Sequence, residues 1–69
     1  MVDSNKLMGC IFANGMNQEE IAKSIGITPK TFYTKMKKGV FGSDEIEMMI
    51  EILHIENPMA IFFAPKVTS

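Results

Sequence analysis

The sequence predicts an all-α fold, a compact five-helix bundle, and three observations support this. Apolar residues recur at helical spacing, as in Ile21, Ala22 and Ile25. Residues typical of helix N-termini precede these apolar stretches, and glycine or proline follows them. No stretch alternates polar and apolar residues with the period of a strand. We expect helices at residues 3–14, 17–25, 28–37, 43–54 and 58–63.

The helix starts are indicated by capping residues. Asn17 and Glu20 have the spacing of a capping box, in which each side chain bonds the backbone N–H of the other residue. Gly42 and Glu45 repeat this spacing with a weaker cap. The other expected caps are Asp3, Thr28 before Pro29, and Asn57 before Pro58.

The helix ends are marked by residues that cannot easily continue a helix. Gly15, Gly26 and Gly39 are expected to end the first three helices in left-handed conformations. Pro65 blocks continuation of the last helix. A chain of 69 residues is long enough for one domain, which we place at residues 1–69, with 64–69 as a C-terminal tail expected to fray.

Composition narrows the class of protein. The chain is 46% hydrophobic, which is typical of a globular domain, yet no apolar run approaches the roughly 20 residues that span a bilayer. The N-terminus lacks the pattern of a signal peptide. Cys10 is the single cysteine and cannot form an internal disulfide. We therefore expect a cytoplasmic protein.

Few residues are suited to catalysis. With one histidine and one cysteine, the chain cannot build a metal site from these ligands, and we expect no metal, no cofactor and no enzymatic activity. A nucleophile pair of Cys10 and His54 is an open alternative that requires a reactive Cys10. A buried structural thiol is the simpler interpretation, because Cys10 lies at an apolar helix position beside Ile11.

Charge is unevenly distributed along the chain. Residues 21–43 contain five lysines and no acid, giving +5, while the rest of the chain carries −6. Such a segment is either a solvated helix face or a surface that attracts phosphate. The net charge of −1 conceals this segregation.

Helices 2 and 3 are separated only by Gly26 and Ile27, and this tight connection predicts a helix-turn-helix at about residues 17–37. The stretch NQEEIAKSIGIT, residues 17–28, followed by Phe32, resembles the lambda-repressor-like helix-turn-helix family of Cro and repressor-type regulators. The resemblance extends over about residues 5–63. Three stretches are most similar to small regulators of phages and prophages of Gram-positive bacteria: residues 32–36, residues 41–46 and the sequence IFFA at 61–64.

The resemblance implies that helix 3 enters the DNA major groove. The implied base contacts are Pro29, Lys30, Tyr33 and Thr34. The implied phosphate contacts are Asn17, Gln18, Thr28, Thr31, Lys35, Lys37 and Lys38. The expected function is that of a sequence-specific regulator binding double-stranded DNA, most similar to a Cro-like repressor that acts by occupying an operator.

Small domains of this type usually bind near-palindromic operators as homodimers, since one helix reads few bases. We expect the dimer interface at Met59, Phe62 and Phe63, while Ile61 and one phenylalanine belong to the core. The chain ends soon after this region, which favours a self-contained regulator, although a truncated longer protein would look the same. The alternative function is an antirepressor-like protein-interaction module that uses the surface of helices 4 and 5.

Overall fold

A computed structural model describes residues 1–63 and confirms the all-helical prediction for that range. Its radius of gyration is 11.2 Å, close to the value of about 11 Å expected for a compact chain of this length. None of the helices in residues 1–63 combines the length and hydropathy needed to cross a bilayer. Pro65 and the predicted tail at 64–69 lie outside the described residues. The five helices are α1 (Ser4–Ala13), α2 (Gln18–Ser24), α3 (Pro29–Lys38), α4 (Ser43–Leu53) and α5 (Pro58–Phe62).

The side-chain caps predicted at Asp3, Asn17 and Thr28 are formed, whereas Gly42 and Asn57 make no side-chain cap bond. Asn17 Oδ1 accepts a hydrogen bond from the backbone N–H of Glu20 at 2.8 Å, and the Glu20 carboxylate accepts from Asn17 N–H at 3.2 Å. Asp3 and Thr28 cap α1 and α3 by accepting from the backbone N–H three residues further on, without a reciprocal side-chain bond. Asn57 makes no side-chain cap bond, so α5 begins simply with proline at its first position.

The predicted helix ends are also confirmed, and the fourth helix ends differently. Gly15, Gly26 and Gly39 have φ values of 70°, 82° and 72°. No glycine follows α4, and His54 takes the left-handed conformation itself, with φ 52° and ψ 49°. Most helix bounds differ from the prediction by one residue because the cap residues lie just outside the helices, whereas α3 continues one residue further, to Lys38.

The core joins all five helices, and the pairing of α2 with α3 is the most extensive. Ala22 is fully buried, and its small side chain allows the two helices to approach closely. Phe32 of α3 is fully buried and packs against Phe41, with 5.4 Å between ring centroids. Leu7, Ile11, Ile21 and Met49 are the other large side chains with no exposed surface.

The N-terminal segment ties the end of α3 to the rest of the bundle. The backbone N–H of Val2 donates to Gly39 O at 3.0 Å, and Ser4 Oγ donates to Met36 O at 2.8 Å. The next backbone N–H, of Asp3, donates to Ile61 O at 2.6 Å. The last turn of α3 is therefore held by hydrogen bonds in addition to apolar packing.

Candidate nucleic-acid interface

Helix α3 has a buried side and an exposed side. Phe32 and Met36 face the core, with exposed fractions of 0% and 7%. Lys30, Thr34 and Lys37 follow one another at helical spacing on the opposite side, and all three are exposed. The four implied base-contact residues, Pro29, Lys30, Tyr33 and Thr34, are all exposed.

The threonine hydroxyls of α3 are oriented by internal hydrogen bonds. Thr34 Oγ1 donates to Lys30 O at 3.0 Å, so it presents lone pairs, and therefore acceptor character, to an outside group. Thr28 Oγ1 accepts from the backbone N–H of Thr31 and donates to Thr31 Oγ1 at 2.9 Å. This leaves the hydroxyl proton of Thr31 available to an external acceptor such as a phosphate oxygen.

The start of α2 lies beside the middle of α3. Gln18, Tyr33 and Lys37 line one shallow surface depression of about 230 Å³, whose other walls come from α1 and Met36. Gln18 is half-buried there, and Tyr33 is 60% exposed. The neighbouring Asn17 uses its side-chain oxygen for the cap of α2, so only its amide NH₂ group is left to donate to a ligand.

Lys35 differs from the other phosphate candidates because it is held in an ion pair. Its Nζ lies 2.7 Å from both carboxylate oxygens of Glu45, and the side chains are 32% and 12% exposed. The pair links the last turn of α3 to the first turn of α4, and Glu45 also accepts from Gly42 N–H at 2.7 Å. The sequence predicted only the cap role of Glu45. The lysines of residues 21–43 with no ion pair in the described part of the chain are Lys23, Lys30, Lys37 and Lys38.

The surroundings of Glu45 favour its ionised form. Burial by itself raises the pKa of this carboxyl. The hydrogen bonds from Lys35 Nζ and Gly42 N–H, together with the positive charge of Lys35, outweigh burial and bring the pKa below its ordinary value. The ion pair therefore persists at neutral pH.

The predicted dimer residues separate into buried and exposed side chains. Phe62 is 2% exposed and belongs to the core, because α5 turns this side chain and Ile61 toward the bundle. It therefore offers no surface to a partner, contrary to our expectation. Met59 and Phe63 are 65% and 56% exposed.

The residues of the hydrolase alternative lie on another part of the surface. Cys10 is half-buried, and Cys10 and His54 line the same groove. No hydrogen bond joins the two side chains in the described residues, and so the activation that a nucleophile pair requires is not seen there. Within residues 1–63, no group of three or more His, Cys, Asp or Glu side chains could hold a metal ion.

Comparison with protein-family models, curated proteins and solved structures finds no match for this chain.

Proposed function

We propose that this protein is a sequence-specific regulator that binds double-stranded DNA through a lambda-repressor-like helix-turn-helix formed by α2 and α3. The observation that carries the proposal is the outer side of α3, where Lys30, Thr34 and Lys37 lie together and are exposed. In this arrangement α3 enters the major groove. Lys30 donates to guanine O6 or N7, and Thr34 accepts from an adenine or cytosine amino group.

The charge distribution supports binding to a polyanion. Residues 21–43 contain no acid, and the ion pair with Glu45 removes only Lys35 from the set of available cations. Lys37 and Lys38 then neutralise phosphates beside the groove that Lys30 enters. Gln18, at the start of α2 and next to Tyr33, is suited to donate from its side-chain amide to the adjacent DNA backbone.

The rigidity of α3 supports the same proposal. The helix is fixed at its start by the Thr28 cap, along one side by Phe32 and Met36, and at its end by the bond from Ser4. A helix held in this way loses little conformational freedom on binding, so more of the contact energy is available as affinity.

Regulation follows from occupancy. A homodimer bound to a near-palindromic operator excludes polymerase from an overlapping promoter, as expected for a Cro-like phage or prophage repressor. Met59 and Phe63 supply exposed apolar surface for the dimer contact. The same two side chains also suit a different partner protein, and this observation keeps the antirepressor-like module as the second candidate function.

The test is selection of bound duplexes from random-sequence DNA, followed by gel-shift titration of the selected site. We expect the double variant Lys30→Ala/Tyr33→Ala to lose the preference for that site over random DNA. The control is Lys23→Ala, which removes the same charge from an exposed position of α2 that is not among the implied base contacts, and it should keep the preference for the selected site. Lys37→Ala should weaken binding to all sequences and reduce the slope of log K against log salt by about 1.

Two results would contradict the proposal. One is failure to enrich any duplex from the random pool. The other is equal binding of all sequences together with equal effects of the Lys23 and Lys30/Tyr33 variants. Either result would favour the protein-interaction module.

A further inference from the structure

A surface cavity of the described chain lies away from α3. It is a groove of about 440 Å³, here termed the α1–α5 groove, lined on one side by Gly9, Cys10 and Ala13 and on the other by Ile55, Ala60 and Ile61. Its lining is mainly apolar. A Cβ atom added to Gly9 would have no neighbour within 4 Å, so this wall of the groove is open.

An exposed apolar ridge borders this groove. Met59 and Phe63 lie four residues apart in and just after α5, and both are more than half exposed. Ala60 and Ile61, between them in sequence, line the α1–α5 groove. On the other side, Phe63 and the buried Phe62 border a second, smaller depression of about 210 Å³. A ridge beside a groove of the same character can fit a second copy of itself across a twofold axis.

The α1–α5 groove and the smaller depression could each receive the ridge of a second copy, and they differ in the charged side chains that line them. Lys6 and Glu56 both line the α1–α5 groove, both are exposed, and neither forms an ion pair with another described residue. A twofold arrangement can bring each Lys6 close to the partner's Glu56, and the contact then occurs twice. The smaller depression has no charged side chain in its lining. The α1–α5 groove is the larger of the two and the only one with this complementarity.

We infer that the Met59–Phe63 ridge of one copy packs in the α1–α5 groove of a second copy, with Lys6 facing the partner's Glu56. The inference rests on the homodimer of the proposed function and specifies its receiving surface. It leaves Lys30, Thr34 and Lys37 free, since none of them lines the groove. The partner's side chains also cover Cys10.

The first test fills the groove. In Gly9→Leu the new side chain occupies open space, and replacing a helical glycine favours the fold, so the monomer should remain intact by circular dichroism. We expect sedimentation equilibrium to show a dimer dissociation constant at least about tenfold weaker than that of the wild type. Gly9→Ala, which adds only a methyl group, is the matched control and should stay close to the wild type.

The second test exchanges charges. Lys6→Glu and Glu56→Lys should each weaken self-association, because each places like charges face to face twice. An equimolar mixture of the two variants should associate again, since all contacts between the unlike copies are then attractive. Restoration by mixing cannot arise from a general loss of folding.

The third test uses Cys10 as a reporter. A thiol reagent should label Cys10 more slowly as the wild-type concentration rises through the dimer range, while Gly9→Leu should show no such dependence. These tests contain no DNA, so failure of DNA binding and failure of this inference are distinguishable. A wild-type chain that stays monomeric at millimolar concentration would overturn the inference. So would a dimer that is unaffected by Gly9→Leu or is not restored by the mixture. The ridge would then pack in the smaller depression, or a small apolar ligand would occupy the α1–α5 groove.

Discussion

The ammonium group of Lys35 lies 2.7 Å from each carboxylate oxygen of Glu45, across the connection between α3 and α4. The same carboxylate accepts from Gly42 N–H and so caps α4. One acidic side chain therefore fixes the start of α4 and the end of the helix that carries the lysines. Within a segment of five lysines, this contact separates a structural cation from those that remain available to a ligand.

A comparison of Lys35 and Lys37 tests this separation of roles. We expect Lys35→Met to lower the free energy of unfolding by about 1–2 kcal/mol, because it leaves the partly buried Glu45 carboxylate without its cation. Lys37→Met, at an exposed position, should change it by less than about 0.5 kcal/mol. Urea denaturation measures both free energies of unfolding. In DNA-binding assays, Lys37→Met should lose more affinity than Lys35→Met. Equal stability of the two variants would show that the ion pair contributes nothing measurable.

The Glu45 carboxyl should also make stability depend on pH under acidic conditions. Its pKa in the folded state lies below the ordinary value of 4.5, so the unfolded chain takes up the proton first as pH falls. The stabilisation is complete above pH 4.5 and is lost as pH falls through the lower, folded-state pKa. Glu45→Gln keeps an acceptor for Gly42 N–H but cannot titrate.

Urea unfolding curves at a series of pH values measure this effect. The difference in unfolding free energy between wild type and Glu45→Gln should be constant near neutral pH and shrink in acid. A difference that stays the same down to the acid limit of folding would assign the acid sensitivity to other carboxyl groups.

Two glycines should respond in opposite directions to replacement by alanine. Gly39 has φ 72°, and its added Cβ would lie 3.1 Å from Met1 Cγ, so we expect Gly39→Ala to destabilise the fold by roughly 1–2 kcal/mol. Gly9 lies within α1 with open space around it, and Gly9→Ala should stabilise by about 0.5–1 kcal/mol. Thermal unfolding at concentrations where the chain is monomeric compares the two. Destabilisation by Gly9→Ala would mean that the helix interior at this position is not as open as described.

Adjacent aromatic residues on α3 should separate stability from binding. Phe32 is fully buried against Phe41, and Phe32→Ala should cost about 3–5 kcal/mol, a large part of the stability of so small a domain. Tyr33 is 60% exposed, so Tyr33→Ala should keep the unfolding midpoint close to wild type while weakening DNA binding. A large loss of stability in the Tyr33 variant would identify it as a packing residue instead of a ligand contact.

The helix boundaries were predictable because the interactions that define them are local. The reciprocal bonds of Asn17 and Glu20 join residues three apart, and this spacing is visible in the sequence. The bonds between helices were not predictable. Ser4 Oγ reaches Met36 O across 32 residues, and Asn14 Nδ2 reaches Leu53 O across 39. The residues next to a serine or asparagine in sequence do not indicate which distant carbonyl group the tertiary fold will bring near its side chain.

The residues of the candidate site were predictable from the sequence, but the direction in which each side chain points was only partly predictable. Lysine enrichment and the period of Phe32 and Met36 identified the exposed side of α3. Lys35 lies beside Met36 at the edge of the buried side, so its direction depends on where α4 packs. Of the adjacent Phe62 and Phe63, the docking of α5 alone decides that the first is buried.

The hydrogen bond from Asp3 N–H to Ile61 O joins nearly the two ends of the described chain. Contacts between residues so distant in sequence require closure of a long loop and tend to form late in folding. The adjacent residue, Val2, bonds Gly39 at the end of α3. During synthesis on the ribosome, α1 to α4 emerge before the hydrogen bond from Asp3 to Ile61 can form. We therefore expect the N-terminal segment to reach the end of α3 first and to be fixed at both of its contacts only after α5 has emerged from the ribosome.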